Sequence, residues 1–172
     1  MVFKIHQGYR TIGVNYGLGV YYVDFGIGAN YATPDVAKKL LGLGLERKGW
    51  VALRGDPVGV KGCGVLVQGL KQLGMRIEIE SEGNRKSPGW FSQVDRWLIW
   101  WSPKPEFNYG ALRPRQDLLV YKGDDVAGFL EETDKWDISR GILSNNREDI
   151  RGLIKSREIR VFKESEYEGY SG

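Results

Sequence analysis

The 172-residue chain carries a net charge of +3 with 41% hydrophobic and 27% charged residues, the balance of one soluble domain with a sizeable core. Its basic residues are spread along the chain and not gathered in a tail, which argues against nucleic acid as the main partner. One cysteine, Cys63, and one histidine, His6, exclude an intramolecular disulfide, a cysteine-based zinc site and a cysteine-ligated cluster within one chain, and no run approaches the ~18 apolar residues of a membrane helix.

Residues 2–5 are a short strand, and a glycine-punctuated segment leads from His6 to a better one at residues 19–25. After a loop at 26–31, Thr33 before Pro34 starts a helix, with the hydroxyl capping and proline at the first position; Val36, Ala37, Leu40 and Leu41 form its buried stripe. A polar connection at 43–48 leads into residues 50–104, around which the chain is organised. Residues 50–54 (Trp-Val-Ala-Leu-Arg) are an apolar strand that stops at Gly55-Asp56-Pro57, since neither a strand nor a helix interior tolerates that turn. Beyond Gly59, Gly62 and Gly64, the spacing of Val65, Leu66, Leu70 and Leu73 predicts a helix closed by Gly74. Residues 75–80 and 96–101 are two further strands, the second halted by Ser102-Pro103-Lys104-Pro105. Residues 107–115 are a loop and 117–121 a strand. Asp124 or Asp125 starts a helix through Val126, Phe129 and Leu130, with its acidic residues near the positive end. Ile142 and Leu143 are a brief strand, Asn145 or Asn146 a cap, and Ile150, Leu153 and Ile154 a helical stripe. Residues 158–162 close the regular structure, so the expected organisation is one α/β domain over 1–163 and a polar tail over 164–172. The N-terminus lacks the charged and then apolar pattern of a signal peptide, which makes the cytoplasm the expected location.

Strands joined through a helix run parallel with a right-handed crossover, so the class is α/β with a mainly parallel sheet. In such a sheet the polar strand exits at Asp56, Glu80 to Asn84 and Ser102 to Lys104 emerge at one carboxyl edge, where these sheets hold ligands. The dense aromatic group Trp90, Trp97, Trp100, Trp101, Phe107 and Tyr109 is a second feature. Alternation puts Trp97 and Trp101 on one strand face and Trp100 on the other. Core packing is the first explanation, and a surface for a protein partner or for self-association the next. Glu80 and Glu82 are an acid and base pair or a polar rim, and His6 has no identifiable catalytic partner.

The order of these motifs resembles the radical S-adenosylmethionine (SAM) enzymes, most closely the 7-carboxy-7-deazaguanine synthases, over residues 3–110. Lys4-Ile-His-Gln-Gly8 is similar to that family's opening SIQGEG segment and Val20-Tyr-Tyr-Val-Asp24 to its next strand. Arg54-Gly55-Asp56-Pro57 stands where the family has Gly-Gly-Glu-Pro, which contacts the SAM amino group. Glu80-Ser-Glu-Gly-Asn84 stands for Glu-Thr-Asn-Gly-Thr, and Ser102-Pro103-Lys104 matches unchanged. The resemblance implies a reduced, partial (β/α) barrel. It also implies a ligand site drawn from Arg54, Gly55, Asp56, Glu80, Ser102 and Lys104, with SAM or another nucleotide as ligand. Where the family's CxxxCxxC loop holds a [4Fe-4S] cluster, Phe25-Gly-Ile-Gly-Ala29 has no cysteine. Without three thiolates neither the cluster nor reductive SAM cleavage is available. The expectation is therefore a cluster-less pseudoenzyme with no iron-sulfur cofactor and no catalytic residue. It serves binding or assembly through a protein partner or a second copy, or else holds a nucleotide-like or SAM-like molecule; cluster-free enzyme chemistry and nucleic-acid binding are the further alternatives.

Overall fold

Strand and helix alternate along the computed structural model, which describes residues 3–8, 20–26, 32, 34–44, 49–155 and 157–167. Among these residues eight strands form one sheet: β1 (Phe3–Gly8), β2 (Val20–Phe25), β3 (Trp50–Arg54), β4 (Arg76–Ser81), β5 (Arg96–Trp100), β6 (Leu118–Tyr121), β7 (Arg140–Leu143) and β8 (Ile159–Phe162). They lie side by side in chain order, with β1 antiparallel to β2 and each later pair parallel. The helices are α1 (Pro34–Gly42), α2 (Cys63–Gln72), α3 (Val126–Thr133), α4 (Arg147–Ile154) and a short final turn, α5 (Glu164–Tyr167). The protein is α/β with a mostly parallel sheet, as the alternation of strand and helix predicts. Thr33 and residues 168–172 lie outside the described residues, as do most of the 26–31 loop and the side chain of His6. Among the described residues no helix is long and apolar enough to cross a membrane.

Parallel strands that follow one another in chain order have crossovers of one hand, which puts the covering elements on one face. That face shows Val23, Val51, Leu53, Ile77, Ile79, Trp97, Ile99, Leu119 and Ile142 to a core shared with Leu40 of α1, Leu66 and Leu70 of α2, Phe129 of α3 and Ile150 of α4. Strand residues of the other parity form two smaller buried clusters, one of Val20, Tyr22 and Ala52, the other of Leu98, Leu118, Val120, Leu143 and Phe162. Trp100 and Tyr167 pack on the latter.

Three helices leave an expected stripe residue exposed. α2 buries Cys63, Leu66, Val67 and Leu70, the i, i+3, i+4, i+7 set, so Val65 points away from the sheet and is 73% exposed. Leu73 follows the last helical residue, where Gly74 turns the chain at φ +82°, and is exposed with Leu41 and Leu153. α3 begins as expected, with the Asp125 carboxylate accepting from the Gly128 amide at 3.0 Å.

The two crossovers on either side of β5 contain no α-helix, only 3-10 turns at Phe91–Gln93 and Tyr109–Ala111. Rings cover the sheet there instead. Fully buried Trp97 stacks with Phe91 (5.0 Å between centroids, 10° between planes) and Trp90 (5.6 Å) and meets Phe107 at 5.7 Å. Trp90 lies so close to Gly64 of α2 that a Cβ there would stand 2.5 Å from the indole. Of the proposed interface residues, Trp97, Phe107 and Tyr109 are buried in the chain's own core. Trp90, Trp100 and Trp101 are half-buried, Trp101 edge-on to Tyr121 and Phe129. Trp101 and Trp97 share the helix-covered face and Trp100 the other, as alternation requires. The aromatic density thus covers the sheet where the two crossovers lack helices, with Trp97, Phe107 and Tyr109 as core and Trp90, Trp100 and Trp101 partly at the surface.

Candidate functional site

The carboxyl ends of β2 to β7 surround a cleft of about 480 Å³, within the size range of small-molecule sites. Asp24 comes from the end of β2, Arg54 and Gly55 from the exit of β3, and Glu80, Ser81 and Glu82 from β4. Trp100 ends β5, Lys122 follows β6, Leu143 ends β7, and Glu164 and Tyr167 reach in from α5.

Gly55 brings the first two exits together. Its φ is +94°, and a Cβ would stand 2.4 Å from the Phe25 carbonyl oxygen, so the chain can leave β3 along the end of β2 only as glycine. Next to it Arg54 grips Asp24 with two donors, Nε to Oδ1 and a terminal nitrogen to Oδ2 at 3.2 Å. The guanidinium carbon lies 4.9 Å from the centre of the Tyr22 ring. Glu80 is nearly buried, and its Oε1 accepts from Trp100 Nε1 at 3.0 Å and from the Tyr167 hydroxyl. The Tyr167 ring stands edge-on to Trp100, 5.3 Å between centroids and 87° between planes. At the outer rim Lys122 Nζ lies 2.9 Å from Glu164 Oε1, and its hydrogen bond holds the Glu164 carboxyl below the usual glutamate range. The cleft thus combines four carboxylates (Asp24, Glu80, Glu82, Glu164), two cations (Arg54, Lys122) and an aromatic wall.

Of the residues expected at the site, Arg54, Gly55 and Glu80 line this cleft; Asp56, Ser102 and Lys104 do not. Asp56 is taken by Arg85, which donates from Nε at 2.8 and 3.0 Å and from a terminal nitrogen at 2.7 Å. Gly59 makes room for that pair, since a Cβ there would stand 2.4 Å from Arg85 Nε and 2.5 Å from Asp56 Oδ2. Ser102 is drawn aside because its amide donates to the Tyr109 hydroxyl at 2.8 Å. The same loop is held over Gly83, whose carbonyl accepts from the Glu106 and Phe107 amides, and this leaves Lys104 exposed away from the cleft. Asp24, Lys122, Glu164 and Tyr167 were not among the expected site residues, and Trp100 was expected at an interface. The strand-exit rule, applied to β2 and β6, points to Asp24 and Lys122; no spacing signal points to Tyr167.

The residues do not fit an iron-sulfur cluster. Cys63 supplies one thiol, buried in the first turn of α2 on the helix-covered face and not among the residues lining the cleft, and burial pushes its pKa up to about 12. Among the described residues no group of three or more histidine, cysteine or carboxylate side chains is placed to hold a metal ion. No protein-family model matches the chain, and no curated protein matches it.

Proposed function

We propose that the protein binds a small zwitterionic or nucleotide-like molecule in the strand-end cleft, on a scaffold of the radical SAM type that has lost its cluster chemistry. The observation that carries the reading is the convergence of Arg54, Glu80, Trp100 and Lys122 from four neighbouring strand ends. Lys122 and Arg54 suit a carboxylate or phosphate, Glu80 and Glu82 suit an amine, and Trp100 offers an aromatic wall to a flat ring. SAM and purine nucleotides both meet that description. The scaffold part of the reading is supported by the order of the sequence motifs and by a sheet wound in chain order with helices α1 to α4 on one face. The missing thiolates favour binding over catalysis, and a cytoplasmic setting goes with such a ligand.

Calorimetric titration of the purified protein with SAM, its demethylated product and purine nucleotides tests the reading. At least one should bind. Lys122→Ala should then weaken it by about 0.2 to 1 kcal/mol, the range for an exposed ion pair, while Lys104→Ala leaves it unchanged. If none of these compounds binds either the chain as it stands or a variant with the cleft uncovered, the reading is wrong.

A further inference from the structure

The final turn α5 occupies the cleft with groups of its own. Glu164 places a carboxylate on Lys122 at 2.9 Å, and Tyr167 places a hydroxyl on Glu80 and a ring edge on Trp100. We propose that α5 is a displaceable strap that competes with the ligand for Lys122 and Glu80. The ligand then carries an anionic group where Glu164 sits and a hydrogen-bond donor where the Tyr167 hydroxyl sits. The proposal rests on the ligand-binding reading of the cleft and narrows it.

Three features make the strap removable. A four-residue turn is too short to hold a helix by itself, so its contacts keep it in place. None of its residues is buried, and Tyr167 packs on the small cluster around Leu98 and not on the helix-covered core, so its departure opens no hole there. The Lys122 to Glu164 pair is 59% and 47% exposed, and exposed pairs hold weakly. Glu80 is different. It is 6% exposed, and a carboxylate in that setting gives up a donor at a cost unless another arrives at the same oxygen. A ligand with a suitably placed donor makes that exchange nearly even, whereas one without it is refused. The strap therefore selects as well as covers, and its closed population lowers the apparent affinity in proportion.

Two substitutions in the full-length protein test this. Tyr167→Phe keeps the ring on Trp100 and removes the donor to Glu80; Glu164→Gln removes the exposed charge pair with Lys122 and keeps an oxygen that can accept from Asn145, so it leaves the fold intact if the first does not. The probes are adenosine monophosphate and the demethylated product of SAM, titrated calorimetrically, with amide exchange of residues 164–167 followed in parallel. The double variant should bind about tenfold tighter than the unaltered chain, Glu164→Gln alone about threefold, as expected when a competing closed state is weakened. Exchange at 164–167 in the unaltered chain should speed up when the probe binds. Variants that bind equally or more weakly, or exchange that slows on binding, would make Glu164 and Tyr167 ligand contacts or bystanders and sink the strap. Binding by the variants alone supports it, with the unaltered chain closed. If neither the unaltered chain nor any variant binds either probe, the ligand-binding reading itself has failed and the strap falls with it.

Discussion

At Gly55 two constraints meet on one residue: a backbone at φ +94° and a neighbouring carbonyl oxygen that would lie 2.4 Å from any added Cβ. Relief of one by moving the chain is blocked by the other. Gly55→Ala should therefore cost about 2 to 4 kcal/mol, read as a lower urea midpoint at unchanged slope. A loss below about 1 kcal/mol would mean that the exit of β3 can rearrange. Cys63 gives a second residue-scale expectation. With its pKa pushed up to about 12 by burial, its thiol is neutral and covered, so alkylation at mildly alkaline pH should follow unfolding and not precede it. The turn at Gly55 is legible in the sequence because Gly55-Asp56-Pro57 can continue neither strand nor helix. The partner of Asp56 is not, because Arg85 stands 29 positions away and no spacing rule links them. The same holds for Tyr167, which meets Glu80 across 87 positions out of a segment whose composition reads only as polar.

At the scale of elements, β5 shows why a correct local pattern gives an incomplete tertiary reading. Period-two alternation assigns Trp97 and Trp100 to opposite faces, and the fold agrees. The alternation does not say what covers each face. With the crossovers beside β5 lacking helices, rings that look surplus to a small core are the cover itself, Phe107 touching the rings of Phe91, Trp97 and Tyr109. Phe107→Ala should accordingly cost about 3 to 5 kcal/mol, the range for an excavated core aromatic ring. Val65→Ser, on the exposed side of α2, should stay within about 0.5 kcal/mol. Equal small effects in urea denaturation would restore the reading of these rings as a surface. α2 gives the converse lesson, since its length follows from the apolar spacing, whereas its buried side is fixed only when the sheet supplies a direction.

At the scale of the molecule, winding in chain order separates two chemistries. The helix-covered face is apolar, and charges gather on the other face and at the strand ends, largely in pairs such as Arg54 with Asp24 and buried Arg96 with Glu78 at 3.6 Å. Elsewhere a single carboxylate ties elements distant in the chain. Asp134, just past α3, accepts from Arg140 of β7 at 2.9 Å and from Arg157, between α4 and β8, at 2.8 Å. Arg157 first, and then Arg140, push the Asp134 pKa down from 3.8 to about 2. Because the folded value lies below the unfolded one, the contribution of Asp134 to stability is complete above the unfolded value and is lost as pH falls through the folded one. The window is therefore from about 3.8 down to about 2. Asp134→Asn keeps the shape and an acceptor oxygen but cannot titrate, so it should lower stability above that window and lose less across it. Urea midpoints of both proteins at steps through the window give the comparison. The two curves should converge as the pH drops, and curves that stay parallel would show that Asp134 plays no part in acid unfolding and that the joint between α3, β7 and the segment before β8 rests on other contacts.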